Sequence, residues 1–273
     1  MTTYHRTGQL LSKACAVGRW VKRWLFNPPL VLFVWQPLLV AFCITVALKS
    51  SFSSANSLKT VFFSAAIAAF WLGMGGSVRS LVATRKSRSL ERLEGVRRSA
   101  YLAAVSLATL AKGVVQGIVL AFFLALLPRW FGYESALNMA SASLCALDAC
   151  LIAVVWMGGF IGLAISAISA TEAFAVAMVP NVAVLALFFS QPLMEPCWEE
   201  FEKDTSCPAR FARALPAHSA HLAMWDWGAS DPKLPEKRAP DTKDLAKTTL
   251  TWITLCFLVS LAAQTIHEKN WNG

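Results

Sequence analysis

Side chains that could carry out chemistry are few in this sequence and lie far apart. His218 and His221 are three residues apart and Asp226 follows them, which is at most a weak pattern for a metal site. The sequence contains no GxxxxGK[S/T] loop, which binds nucleotide phosphates, and neither HExxH nor GxSxG. We therefore expect no catalytic residue, no bound metal and no cofactor on this chain, and we disfavour a membrane enzyme or channel.

Two ionisable residues fall in or beside long apolar stretches, where a buried charge is costly. Lys112 lies 14 residues after Arg98, about 21 Å along a helix, which is near mid-depth in a membrane. It either faces a polar cavity, with Asp148 as a candidate partner, or extends its amine to the membrane surface. For Asp148, a solvated carboxylate at a helix end is the alternative.

Long uncharged runs predict the elements that carry these residues. Of 273 residues 56% are hydrophobic and 15% are charged, whereas soluble proteins carry about 25% charged residues. A helix needs roughly 20 apolar residues to cross a bilayer. We predict an all-α, polytopic membrane protein that forms a single domain over residues 1–273. The six predicted transmembrane helices are residues 30–48, 60–78, 102–127, 146–168, 173–193 and 248–266.

Basic residues predict the orientation of these spans. Residues 1–29 contain five and residues 79–98 contain seven, whereas the short segments of the other side have Lys49, Lys59 and Arg129. Because cytoplasmic segments collect Lys and Arg, both termini are predicted to be cytoplasmic, in an inner membrane. The formal net charge of +9 then reflects contact with the anionic lipid bilayer, and we expect no nucleic acid partner.

The segments outside the spans differ in composition. Residues 1–29 predict an amphipathic helix that lies in the membrane interface. Residues 194–247 predict a long external loop that contains Cys197 and Cys207. Two cysteines in an oxidising space favour a disulfide, and two reduced thiols are the alternative.

The order of these features resembles the six-span permease domain of ABC-2 type exporters, in particular the G-subfamily-like domains. The resemblance covers nearly the whole chain. It is carried by LFNPPLVLFVWQPLLVAF (residues 25–42), FWLGMGGSVRSLVATRKSRSLERLEGVRRSAYL (residues 70–102), GLAISAISATEAFAVAMVP (residues 162–180) and LPAHSAHLAM (residues 215–224).

The resemblance implies partners for the cytoplasmic coupling segment, residues 79–101. In such permeases this segment forms a helix that docks on an ATPase, and Glu91, Arg92 and Gly95 match the recurrent part of the pattern. It implies an ATPase on a separate subunit, which would bind ATP and Mg, and a second copy of this or a related permease.

The resemblance also implies a substrate pathway between two permease chains. Phe70, Met74, Val184 and Phe188 are candidates by position on the second and fifth spans, with ordinary helix packing as the alternative for each. The substrate is left open.

Some positions depart from the family pattern. Ser80 and Thr84 stand where carboxylates are usual, Leu90 where an arginine is usual and Val105 where a lysine is usual. These departures favour a second hypothesis, in which a transport-inactive scaffold or assembly subunit retains the permease fold.

Overall fold

The computed structural model describes residue 18 and residues 30–52, 58–85, 98–133, 141–188 and 242–269. Within these ranges every regular element is helical, which confirms the all-α prediction. The elements are α1 (Leu30–Ala47), a 3-10 turn (Lys49–Phe52), α2 (Leu58–Ser77), α3 (Ser80–Ala83), α4 (Arg98–Trp130), α5 (Ser141–Ile168), α6 (Glu172–Phe188) and α7 (Thr242–Lys269).

Several helices are suited to a bilayer. In the described residues, four stretches are long and apolar enough to cross one: Thr60–Ala83, Ser99–Trp130, Leu147–Ile168 and Leu245–Ile266. The apolar stretches of α1 and α6 are shorter, Val34–Ala47 and Glu172–Leu185. The polytopic membrane architecture is therefore confirmed, and the count of six spans stays a prediction.

Helix α5 is the centre of the bundle. It packs against α2, α4 and α7, whereas α1 packs mainly on α4 and α6 packs on α2. Between apolar helices in lipid, association depends on close packing and interhelical hydrogen bonds, and small residues allow both.

Glycines bring α2 and α5 together backbone to backbone. A Cβ atom on Gly73 would overlap the carbonyl oxygen of Val155, and one on Gly158 would overlap the carbonyl oxygen of Phe70. Neither position could carry a side chain unless the two helices moved apart.

Helices α4 and α5 are antiparallel and also lie close together. A Cβ atom on Gly113 would lie 2.5 Å from Trp156 Cδ1, and one on Gly117 would lie 2.5 Å from Ile152 Cγ1. The indole Nε1 of Trp156 donates a hydrogen bond to the Leu110 carbonyl (2.9 Å). This contact fixes the register of the two helices.

A small apolar cluster forms where α3, the start of α4, the end of α5 and the middle of α7 meet. Its buried members are Leu81, Tyr101, Leu102, Val105, Phe160, Leu163, Ala164, Ala167 and Cys256. This cluster supports the polar contacts described next.

Candidate functional site

The hydroxyl of Ser166, near the end of α5, holds the start of α3. Ser166 Oγ accepts hydrogen bonds from the backbone N–H groups of Leu81 (2.9 Å) and Val82 (3.0 Å). The first N–H groups of a helix have no partner within the helix, so a hydroxyl often caps them. Here the hydroxyl comes from another helix and is fully buried, so that α3 is attached to α5.

Arg85 caps the carboxyl-terminal end of α5. Its Nη1 donates to the Ala170 carbonyl (3.1 Å), and its Nη2 donates to the carbonyls of Ala167 (3.1 Å) and Ser169. The last carbonyls of a helix lack helical partners and carry partial negative charge, so a cation stabilises them. Partial burial lowers the pKa of Arg85, but an arginine in a protein stays protonated at physiological pH.

The chain is anchored again at Tyr101, close to Thr84. Thr84 Oγ1 and Tyr101 Oη are 2.6 Å apart. Because Thr84 Oγ1 donates to the Ser80 carbonyl (2.9 Å), the tyrosine hydroxyl donates to the threonine. Tyr101 is 5% exposed and Thr84 is half-buried, so this bond is partly shielded from solvent. Residues 86–97 therefore lie between two anchors, Arg85 before them and Tyr101 after them.

A small polar pocket lies between α2, α4 and α5, farther from these anchors. Lys112 contributes to it and is half-buried. The pocket is lined by Gly73, Gly76, Ser77, Thr109, Lys112, Gln116 and Val155. Ser77 Oγ donates across the helix interface to the Gly159 carbonyl (2.7 Å).

Asp148 lies away from this pocket. Gly117 on α4 faces Ile152 on α5. Because the two helices are antiparallel, Asp148, four residues before Ile152, lies level with position 121 of α4, which is nine residues beyond Lys112. That separation is about 13 Å along the helix axis. Side chains lean toward the N-terminus of their own helix, so in an antiparallel pair these two lean apart. The candidate pairing of Lys112 with Asp148 is therefore too distant for an ion pair.

The amino-acid sequence matches a known protein family over most of its length. A family model described as ABC-2 family transporter protein matches residues 36–263. The chain belongs to this family. The match runs from α1 into α7, so the described helices form the membrane permease of an ABC transporter. Permeases of this family generally work with an ABC ATPase partner. No curated protein matched the chain.

Several predicted residues of the permease fall outside the described residues. Among them are the predicted docking residues Glu91, Arg92 and Gly95, and both Cys197 and Cys207. The interfacial helix predicted in residues 1–29 is also outside them, apart from residue 18. The docking, disulfide and interfacial assignments stay predictions.

The candidates for the substrate pathway are placed apart in a single permease chain. Phe70 and Met74 are 2% and 0% exposed within the packing of α2, whereas Val184 on α6 is 48% exposed. Phe188 is the last residue of α6. Phe70, Met74 and Val184 therefore line no common surface in one chain, and a pathway between two chains stays a prediction.

The residues that anchor the coupling segment were not predicted from the sequence. Arg85 counted only as one of the basic residues that orient the spans, and Ser166 was not selected. Tyr101 was part of the family pattern without an assigned role. A usable signal was present, since an arginine and a serine-rich helix end, as in SAISA (residues 166–170), are suited to capping.

Proposed function

We propose that this permease is the membrane subunit of an ABC exporter and is driven by a separate ATPase subunit that docks on Glu91, Arg92 and Gly95. Two permease chains and two ATPase domains form the working unit, and ATP and Mg bind to the ATPase. Both termini face the cytoplasm, in keeping with the twelve basic residues of residues 1–29 and 79–98.

The pair of anchors around residues 86–97 carries this proposal. A docking segment whose two ends are both attached to transmembrane helices passes its displacement on to them through those contacts. Arg85 attaches one end to α5, and the bond from Tyr101 to Thr84 attaches the start of α4 to α3. A displacement of residues 86–97 would therefore act on three helices together.

The proposal is tested by reversing the charge of Glu91. Acidic residues contribute little to membrane orientation, so Glu91→Lys should leave insertion and expression unchanged. A docked charge that loses its partner costs about 2–5 kcal/mol. The expected result is loss of the ATP hydrolysis that the permease stimulates in a co-purified ATPase.

The matched control is Glu200→Lys, the same charge reversal in the predicted external loop. It should leave the stimulation unchanged. If the Glu91→Lys complex assembles and hydrolyses ATP like the parent, then Glu91 is an ordinary surface residue and the docking proposal is wrong.

A transport-inactive scaffold that retains the fold is the second candidate, and the environment of Ser80 and Thr84 favours it. Ser80 is 8% exposed, and the hydroxyl of Thr84 is bonded to Ser80 and Tyr101. Neither position offers a negative charge to a basic partner helix. An ATPase that co-purifies with the parent chain but is not stimulated by it would favour this scaffold.

A further inference from the structure

The polar pocket between α2, α4 and α5 contains a buried side-chain amide, that of Gln116, whose Nε2 donor group is not used in the packing of the described helices. Gln116 is 2% exposed, and its Nε2 has no hydrogen-bond partner among the described residues. A buried donor without an acceptor is destabilising, so native structures nearly always supply a partner. An amide N–H group requires an oxygen acceptor.

The hydroxyl groups of the pocket already donate to backbone carbonyls, and the ionisable residue of the lining is a lysine. Thr109 Oγ1 donates to the Val105 carbonyl (3.0 Å), and Ser77 Oγ donates to the Gly159 carbonyl. Lys112 adds an ammonium group to the lining. A positive charge beside an amide donor suits an anionic oxygen better than a cation or an apolar group.

Gly76 keeps one side of the pocket open. Gly76 is exposed, and among the described residues a Cβ atom there would meet only Gln116 Nε2, at 4.0 Å. The pocket has room for a single water-sized group, so one oxygen of a larger ligand could enter. The rest of that ligand would lie on the outer surface of α2 and α4, where Trp71 and Val115 are 51% and 39% exposed.

The depth of the pocket restricts the kind of ligand. Lys112 is eleven residues beyond Tyr101, about 16 Å along α4, and half the hydrocarbon thickness is about 15 Å. An ion from water would have to cross that distance through lipid. An amphiphile has acyl chains that remain in lipid while its head group moves, and phosphate is the usual anionic group of membrane amphiphiles.

We propose that this pocket binds a phosphate oxygen of an anionic amphiphile through Lys112 Nζ and Gln116 Nε2. The acyl chains of the amphiphile lie on the apolar surface of α2 and α4. This inference rests on the proposed export function, because a head group reaches this depth while it is being moved across the membrane. It names the substrate class of that exporter.

The test measures lipid binding to the purified permease without any ATPase. The apparent melting temperature is followed in detergent during titration with phosphatidylglycerol, with phosphatidylcholine as the uncharged comparison. Lys112→Met and Gln116→Leu should each weaken the apparent affinity for phosphatidylglycerol about tenfold, since each removes one charge-assisted contact. The same substitutions at exposed sites, Lys247→Met and Gln36→Leu, should leave the affinity unchanged.

A nearly isosteric variant separates binding from folding. Gln116→Glu keeps the shape of the side chain but places a carboxylate against the phosphate, so it should abolish the response to phosphatidylglycerol. If Gln116→Glu and Lys112→Met bind phosphatidylglycerol like the parent, the inference is overturned. A response to inorganic phosphate equal to that to phosphatidylglycerol would identify a free-anion site and would overturn the amphiphile assignment.

The two proposals fail separately. Loss of lipid binding is measured on the permease alone, and it does not depend on whether Glu91 docks an ATPase. If the permease binds phosphatidylglycerol through Lys112 and Gln116 but stimulates no ATPase, the binding-site proposal stands and the proposal of an ATPase-coupled exporter is rejected.

Discussion

Arg85 should be the principal anchor between the coupling segment and the transmembrane helices. Arg85→Met keeps most of the side-chain length but removes the guanidinium, and with it the hydrogen bonds to the carbonyls of Ala167, Ser169 and Ala170. Hydrogen bonds from charged donors contribute about 1.5–3 kcal/mol when buried. Arg85 is only partly buried and water can replace it, so we expect a total loss of about 2 kcal/mol.

This loss is measurable as thermal stability. For a chain of this size, about 2 kcal/mol corresponds to a decrease of about 4–8 °C in the apparent melting temperature. The assay is heating in detergent, followed by size-exclusion chromatography of the folded fraction. ATPase stimulation should fall as well, because residues 86–97 lose their attachment to α5.

Arg79→Met is the matched control. Arg79 is six residues away and exposed, so its replacement should leave the melting temperature within about 1 °C of the parent. Because an arginine stays protonated, the difference between the two variants should be the same at pH 6 and pH 9. If Arg85→Met and Arg79→Met have the same melting temperature, the capping contacts of Arg85 contribute nothing to stability and its role as an anchor is refuted.

Three further outcomes are expected. Thr84→Val and Tyr101→Phe should each lower the free energy of unfolding by about 1 kcal/mol, and the double variant should lose little more than either single variant. Additive losses would show that the two hydroxyls are not coupled. Gly158→Val should destabilise the fold by about 3 kcal/mol through overpacking against α2 and so lower the folded yield strongly. Gly75→Val should be tolerated, since a Cβ atom there would come no closer than 4.0 Å to Trp71 Cδ1, and equal yields would contradict the backbone contact. In a background whose seven native cysteines are replaced by serine, a cysteine introduced by Ser87→Cys should react with an impermeant maleimide only after the cells are permeabilised. Labelling of that cysteine in intact cells would reverse the predicted topology.

The helical membrane architecture was predictable from the sequence alone. Hydrocarbon offers no partner for backbone N–H and C=O groups, so an uncharged run of about 20 residues in lipid must satisfy its hydrogen bonds within a helix. This constraint acts locally and is visible in composition. The all-α, polytopic class was therefore predictable without any knowledge of contacts.

Which residues form sites was decided by tertiary structure. The basic residues could be counted, but nothing local shows that Arg85 reaches carbonyls more than 80 residues away or that Ser166 caps α3. In the same way, the sequence around Lys112 does not show whether Gln116 or Asp148 lies beside it in the fold. The register of α4 against α5 places the first in the pocket and the second about 13 Å away, because glycines fix how closely and at what level two antiparallel helices meet.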